Sequence, residues 1–240
     1  MGSLGTVSFD SVGGDLEGVG PHDDVLPTAY EEVWNGTGGS GISGAASNDT
    51  LGYSNSFGPV GVSLAYTDGG TAASSDSSVA AEAGTNKIKD VHLTIDGSML
   101  VDGLKLLVGT STSSDSTPGA TDTTNTVGHL LYSTGPVSVG YRLAESQPGS
   151  GETVQTGLNI DAYSIAFAVN ENLSISLAQQ DTEYDVASAA SNVTEEITAI
   201  NASYTAGAAS IRGMLSESSN DEGVTGASED FMEISLVLSF

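Results

Sequence analysis

The stretch Glu229-Asp230-Phe231-Met232-Glu233-Ile234-Ser235-Leu236-Val237-Leu238-Ser239-Phe240 decides how the rest of the chain is read. Met232, Ile234, Leu236, Leu238 and Phe240 share one parity, while Glu233, Ser235 and Ser239 hold the other. A period of two puts alternate side chains on opposite faces of a β-strand, here one apolar and one wet. A strand this apolar on one side, closing on an aromatic, suits a wall with lipid outside and water inside. The alternative is an edge or core strand of a soluble β-sandwich.

Working back from this stretch, the same alternation recurs. Val60, Val62, Leu64 and Tyr66 face one way, and Gly61, Ser63, Ala65 and Thr67 the other. Val91, Leu93 and Ile95 form a second apolar row, and Leu104, Leu106 and Val108 a third. Further rows are Val137, Val139, Tyr141 and Leu143, then Tyr163, Ile165, Phe167 and Val169, then Leu173, Ile175 and Leu177. Shorter runs at GTVSFD (5–10), GHLLYS (128–133), ITAINASYT (197–205) and ASIRGML (209–215) bring the expected number of strands to about twelve. Tight turns at Phe57-Gly58-Pro59, Gly135-Pro136, Asn170-Glu171-Asn172 and Ala206-Gly207 alternate with long polar connections at 111–125, 145–156, 184–193 and 216–227. Short turns at one end and long loops at the other predict an all-β, antiparallel, up-and-down transmembrane β-barrel. A Greek-key sandwich would mix the two lengths.

Composition agrees with that class. The 240 residues contain 31 Gly and 6 Pro, and short apolar runs lie between them. No apolar run reaches the roughly 18–20 residues of a membrane helix, which excludes helical spans and says nothing of barrels. There is no cysteine, so disulfides and thiolate sites are excluded. A formal charge of −26, from 31 acidic and five basic residues, argues against nucleic acid as a partner and favours cations nearby. Met1-Gly2-Ser3-Leu4 has neither the basic region nor the apolar run of a signal peptide. The longest irregular stretch, at about 11–49, exceeds the ordinary length of a structureless loop, and loops of that length are functional or disordered. Within it, Pro27 and Thr28 are placed to start a short helix through Trp34, with acids in its early turns.

Several of these segments resemble a known family. NDTLGYSNSFGPVGVSLAYTDGG (48–70) looks like the segment that follows the constriction loop of general bacterial outer-membrane porins. GPVSVGYRLAES (135–146) and the closing MEISLVLSF (232–240) resemble later porin hairpins, and GSLGTVSFD (2–10) resembles the strand that precedes the constriction loop. The terminal Phe240 is similar to the signal by which outer-membrane proteins are recognised for assembly. Porins of this kind have about 16 strands. The resemblance therefore implies a chain, 1–240, that is one porin barrel domain lacking its signal peptide and about four leading strands. It further implies a homotrimer in the bacterial outer membrane, surrounded by lipid, that catalyses nothing and passes small hydrophilic solutes and ions.

On this resemblance the loop at about 11–49 folds into the barrel as a constriction. It carries Asp15, Glu17, Asp23, Asp24, Glu31 and Glu32. Three of the five basic residues, Lys105, Arg142 and Arg212, fall at inward parity, where a cation avoids the roughly 2–4 kcal/mol cost of facing lipid. Acids opposed to these cations would give a transverse field, with the carboxylates in excess and a weak preference for cations. The alternative is a solvated acidic loop whose acids do nothing specific. Tyr66, Tyr132, Tyr141, Tyr163, Tyr204 and Phe240 lie at outward parity, as interfacial girdle residues would. His22, His92 and His129 have no ligand spacing, so neither zinc nor any other cofactor is expected. A second function class remains from the residues alone: a soluble extracellular β-sandwich or adhesin-like module binding cations or glycans through acidic loops.

Overall fold

The computed structural model of the chain describes residues 4–10, 25–37, 50–70, 86–114, 121–147, 149, 155–186 and 192–239. Twelve strands carry it: β1 (Thr6–Asp10), β2 (Thr50–Phe57), β3 (Val60–Gly70), β4 (Asn86–Asp96), β5 (Leu104–Ser113) and β6 (Thr123–Thr134). They continue with β7 (Val137–Gln147), β8 (Gln155–Ala168), β9 (Leu173–Val186), β10 (Val193–Ala206), β11 (Ala209–Ser219) and β12 (Ser228–Leu238). All twelve lie in one sheet in sequence order, and each neighbour pair is antiparallel. Among the described residues β1 and β12 each keep one unpaired edge. A sandwich needs two facing sheets, and the described residues form one.

The register carries the parity across the whole wall. Gly140 stands opposite Ser164, Ser164 opposite Ala178, Ala178 opposite Ala199, Ala199 opposite Ser216, and Ser216 opposite Phe231. We call the face these residues occupy the inner face. The outer face one pleat away carries Tyr141, Tyr163, Leu177, Ile200, Leu215 and Met232. Burial is inverted relative to a water-soluble domain, where large apolar side chains go inside. Ile234 is 71% exposed and Leu236 62%, while Ser176, Thr182 and Asn201 are buried.

Two differences from the sequence reading have physical causes. First, strands run further at their long-loop ends than the apolar rows do. β8 starts at Gln155, β9 runs on to Val186 and β10 starts at Val193, where 184–193 and the stretch up to Thr156 had read as loop. Outer positions there are Asn159, Asp161, Asp181, Glu183 and Glu196, so alternation is lost while the backbone ladder continues. Second, the inner face is not uniformly small and polar. Val127, Ala144 and Ile160 form a buried cluster at inner parity, and Leu158, Ile197 and Met214 are buried there too.

The β11–β12 connection is tied down at the same end. Asn220 Nδ2 donates to the Thr194 carbonyl at 2.9 Å, and the Glu222 amide donates to Glu195 Oε1 at 3.1 Å. The hydroxyl of Tyr184 donates to the other Glu195 oxygen at 3.1 Å. Gly223 lies so close over the Tyr184 ring that a Cβ there would be 2.7 Å from it.

Candidate functional site

The site is built where residues 25–37 cross the inner face. They form no helix. The Thr28 hydroxyl accepts from the Tyr30 amide at 3.2 Å and donates to the Glu31 carbonyl at 2.7 Å. Local side-chain bonds of this kind compete with helical pairing. Asn201 on β10 then takes both backbone groups of Glu31: its Oδ1 accepts from the amide at 3.3 Å and its Nδ2 donates to the carbonyl at 3.1 Å. Two successive turns finish the segment, Asn35 N to Glu32 O at 3.2 Å and Thr37 N to Trp34 O at 3.1 Å. The expected helix from Thr28 to Trp34 is thus replaced by a strap of turns whose backbone polar groups are met by the wall.

The strap touches strand after strand. Leu26 and Pro27 lie over Gly140 on β7, where a Cβ would be 2.5 Å from Pro27 Cδ and 2.8 Å from Leu26 Cδ2. The amide of Ala29 donates to Ser176 Oγ on β9 at 2.9 Å. Tyr30 donates its hydroxyl to Glu233 on β12, and Asn35 Nδ2 donates to the other Glu233 oxygen at 3.4 Å. On β11, Ser216 Oγ donates to the Asn35 carbonyl at 3.3 Å. Val33 and Trp34 are buried against Ile197, Ala199 and Met214. The seat exists because Gly140, Ser164, Ala178, Ala199 and Ser216 are small. Large side chains on that diagonal would fill the space the strap occupies.

The expected charged residues fall into different settings. Arg142 is fully buried, donates from Nη2 to Gln180 Oε1 at 2.6 Å, and lies 4.7 Å from the centroid of the Trp34 ring. Arg212 is half-buried with its guanidinium 5.9 Å from the Tyr30 ring. Both wall arginines are therefore stacked with strap aromatics, a geometry worth roughly 0.5–2 kcal/mol per pair. Lys105 stands apart, exposed at the short-turn end of β5, in register with Asp96. Glu31 and Glu32 are half-buried on the strap, Glu32 beside Ser164 and Ala178. Asp15, Glu17, Asp23 and Asp24 lie outside the described residues, as does Phe240.

The outer aromatics mark two levels. Tyr132 and Tyr204 stand near the short turns; Tyr66, Tyr141 and Tyr163 stand further up their strands. Tyr141 donates to Asp161 Oδ1 at 2.6 Å and Tyr163 to Gln179 Oε1 at 2.5 Å, so both hydroxyls point to where the outer face turns polar. Trp34, Tyr30, Gln180, Asn201 and Glu233 are the residues sequence reasoning did not assign to the strap's clamp. Glu233 alone left a signal, a carboxylate at inner parity in the last strand, although nothing local names Tyr30 as its partner.

No protein-family model and no curated protein matches the chain. Solved structures do. OmpT, an outer membrane protein of Vibrio cholerae, superposes with a TM-score of 0.63 at 12% identity, over 98% of this chain and 76% of its own. A porin refined at 1.8 Å resolution gives 0.66 at 14% identity, over 100% of this chain and 79% of its own. An anion-selective porin from Comamonas acidovorans gives 0.65 at 13% identity, over 100% and 76%. These neighbours are bacterial outer-membrane proteins, and the fold of this chain is the porin fold: antiparallel strands joined up and down in one meandering wall.

Proposed function

We propose that the chain is the wall and constriction of a passive diffusion channel in the bacterial outer membrane, passing small hydrophilic solutes and ions without catalysis. One observation carries this reading: the strap at 25–37 is clamped across the inner face of β7–β12 while the opposite face of those strands carries a band of exposed apolar side chains toward the short-turn end. Lipid covers such a face and water fills the other. The strap is the central part of a constriction loop at about 11–49 in a porin barrel domain. Among the neighbours, OmpT of Vibrio cholerae is solved in a trimer form, and a homotrimer is the assembly proposed here.

The channel is weakly cation-preferring. Arg142 and Arg212 are covered by the strap aromatics Trp34 and Tyr30, while Glu31 and Glu32 ride on the strap with Asp15, Glu17, Asp23 and Asp24 in the same stretch of sequence. Fixed carboxylates in a narrow, low-dielectric passage dominate the local field. Planar-bilayer recording on the channel in a salt gradient tests this. Neutralising Asp23, Asp24, Glu31 and Glu32 together shifts the zero-current potential toward anion preference. An unchanged potential removes the loop from the constriction, and an absence of any conductance removes the channel reading.

A further inference from the structure

The turn between β4 and β5 differs from the other short turns. Those place Gly58-Pro59, Gly135-Pro136, Glu171-Asn172 or Gly207-Ala208 at their tips. The β4–β5 turn presents three apolar residues in a row, Met99 at 82% exposure, Leu100 at 82% and Val101 at 48%. Its backbone is fully built. Asp96 Oδ1 accepts from the Ser98 amide at 3.0 Å to start a 3-10 turn over Gly97–Met99. The Leu100 and Val101 amides both donate to the Gly97 carbonyl, at 2.8 and 3.0 Å, and the Leu104 amide donates to Val101 at 3.1 Å. Gly103, at φ +84°, hands its carbonyl to the Ser133 amide at 3.1 Å, docking the turn onto the end of β6. With its backbone held in this way, the tip leaves these apolar side chains exposed.

The position of the tip says what covers it. Ile95 and Leu104, which flank the turn, are the last members of the outer apolar rows of β4 and β5. Leu104 stands in register with Tyr132, the outer aromatic nearest the short turns on β6. The tip therefore continues the lipid-facing surface just past its aromatic level, where the headgroup–acyl boundary lies and where apolar side chains next to polar neighbours partition favourably. We propose that Met99, Leu100 and Val101 are an interfacial anchor, seated in the phospholipid leaflet on the short-turn side of the membrane. This rests on the membrane reading given above. Asp96 and Asp102 bracket the anchor and limit its depth, because neither carboxylate gains by entering hydrocarbon.

The absence of native cysteine makes the test clean. Single cysteines at Leu100 (L100C), Leu236 (L236C) and Glu171 (E171C) are spin-labelled in the full chain folded into phosphatidylethanolamine–phosphatidylglycerol vesicles. Collision with lipid-soluble oxygen is then compared with collision with a water-soluble nickel chelate. The anchor requires the Leu100 label to lose nickel collisions and gain oxygen collisions relative to Glu171, approaching Leu236. A Leu236 label that reads as lipid with a Leu100 label that reads as water overturns the anchor and leaves the membrane wall standing. A Leu100 label shielded from both reagents means a protein contact, a second copy included, and also overturns it. A Leu236 label that reads as water overturns the membrane wall itself, and the anchor with it.

Discussion

The two faces of β7–β12 use the same strands and opposite rules. Outside, Leu177, Ile200, Leu215, Met232 and Ile234 are large and exposed. Inside, Gly140, Ser164, Ala178, Ala199 and Ser216 are small, and Val33 and Trp34 of a distant segment supply the buried bulk. The difference teaches that hydrophobicity and packing are separate tasks in this wall. On the membrane reading proposed above, the outer face needs apolar area and no particular shape, because lipid would conform to it. The inner face needs a shape, because one folded segment must fit it.

The outer rule breaks most expensively. Leu236→Arg should weaken insertion by roughly 2–4 kcal/mol if the residue lies at mid-depth, whereas Ser235→Arg, one pleat away and facing inward, should cost far less. Folding titrations into vesicles measure both, and equal tolerance would abolish the distinction between the faces. Next is the buried cation of the inner face. Arg142→Ala strips the contact to Trp34 and the charged hydrogen bond to Gln180, an expected loss of roughly 2–3 kcal/mol in urea unfolding from vesicles. Ala at Arg212, half-buried and farther from its ring, should cost visibly less.

The seat itself is sharpened by Gly140→Val. Overpacking against Pro27 and Leu26 should cost roughly 1–3 kcal/mol and lift the strap, raising single-channel conductance while leaving insertion unchanged. A conductance equal to that of the parent would mean that the strap does not limit the passage. The smallest effect is reserved for Tyr30→Phe, which removes the hydroxyl that bonds Glu233 and keeps the ring that covers Arg212. About 1 kcal/mol of strap docking is at stake, read as more frequent conductance fluctuations at constant selectivity.

The outer face was legible in the sequence almost residue by residue, since period-two rows such as Leu173, Ile175 and Leu177 need no partner to be seen. The tight turns were legible for the same local reason, carried by Gly-Pro and Asn-rich tips. The polar ends of β8, β9 and β10 were not, because ladder hydrogen bonds leave no trace in side-chain polarity. The strap was legible only as a long loop containing a distinctive core. Its helix-like start at Pro27 and Thr28 misled because Asn201, which claims the Glu31 backbone, lies 170 residues away. The buried residues Val127, Ile160 and Ile197 sit at inner parity, where alternation alone predicts small polar side chains; covering an inner face is a tertiary event that no window of sequence reports.

The clamp on the strap also orders events in time. From β4 onward each strand pairs with its neighbour in sequence, so pairing there can proceed stepwise with loop closures much shorter than the strap's. The strap is different: Ala29 meets Ser176 across 147 residues, and Tyr30 meets Glu233 across 203. Half of the Tyr30–Glu233 clasp belongs to β12, so the seat is incomplete until β12 has paired with β11. The entropy of closing so long a loop is recovered only when many contacts form together. On the channel reading proposed above, the expected order of assembly is therefore a wide, unconstricted wall first and its narrowing afterwards. Burst-phase recordings during folding would see a large conductance that falls with time toward the mature value.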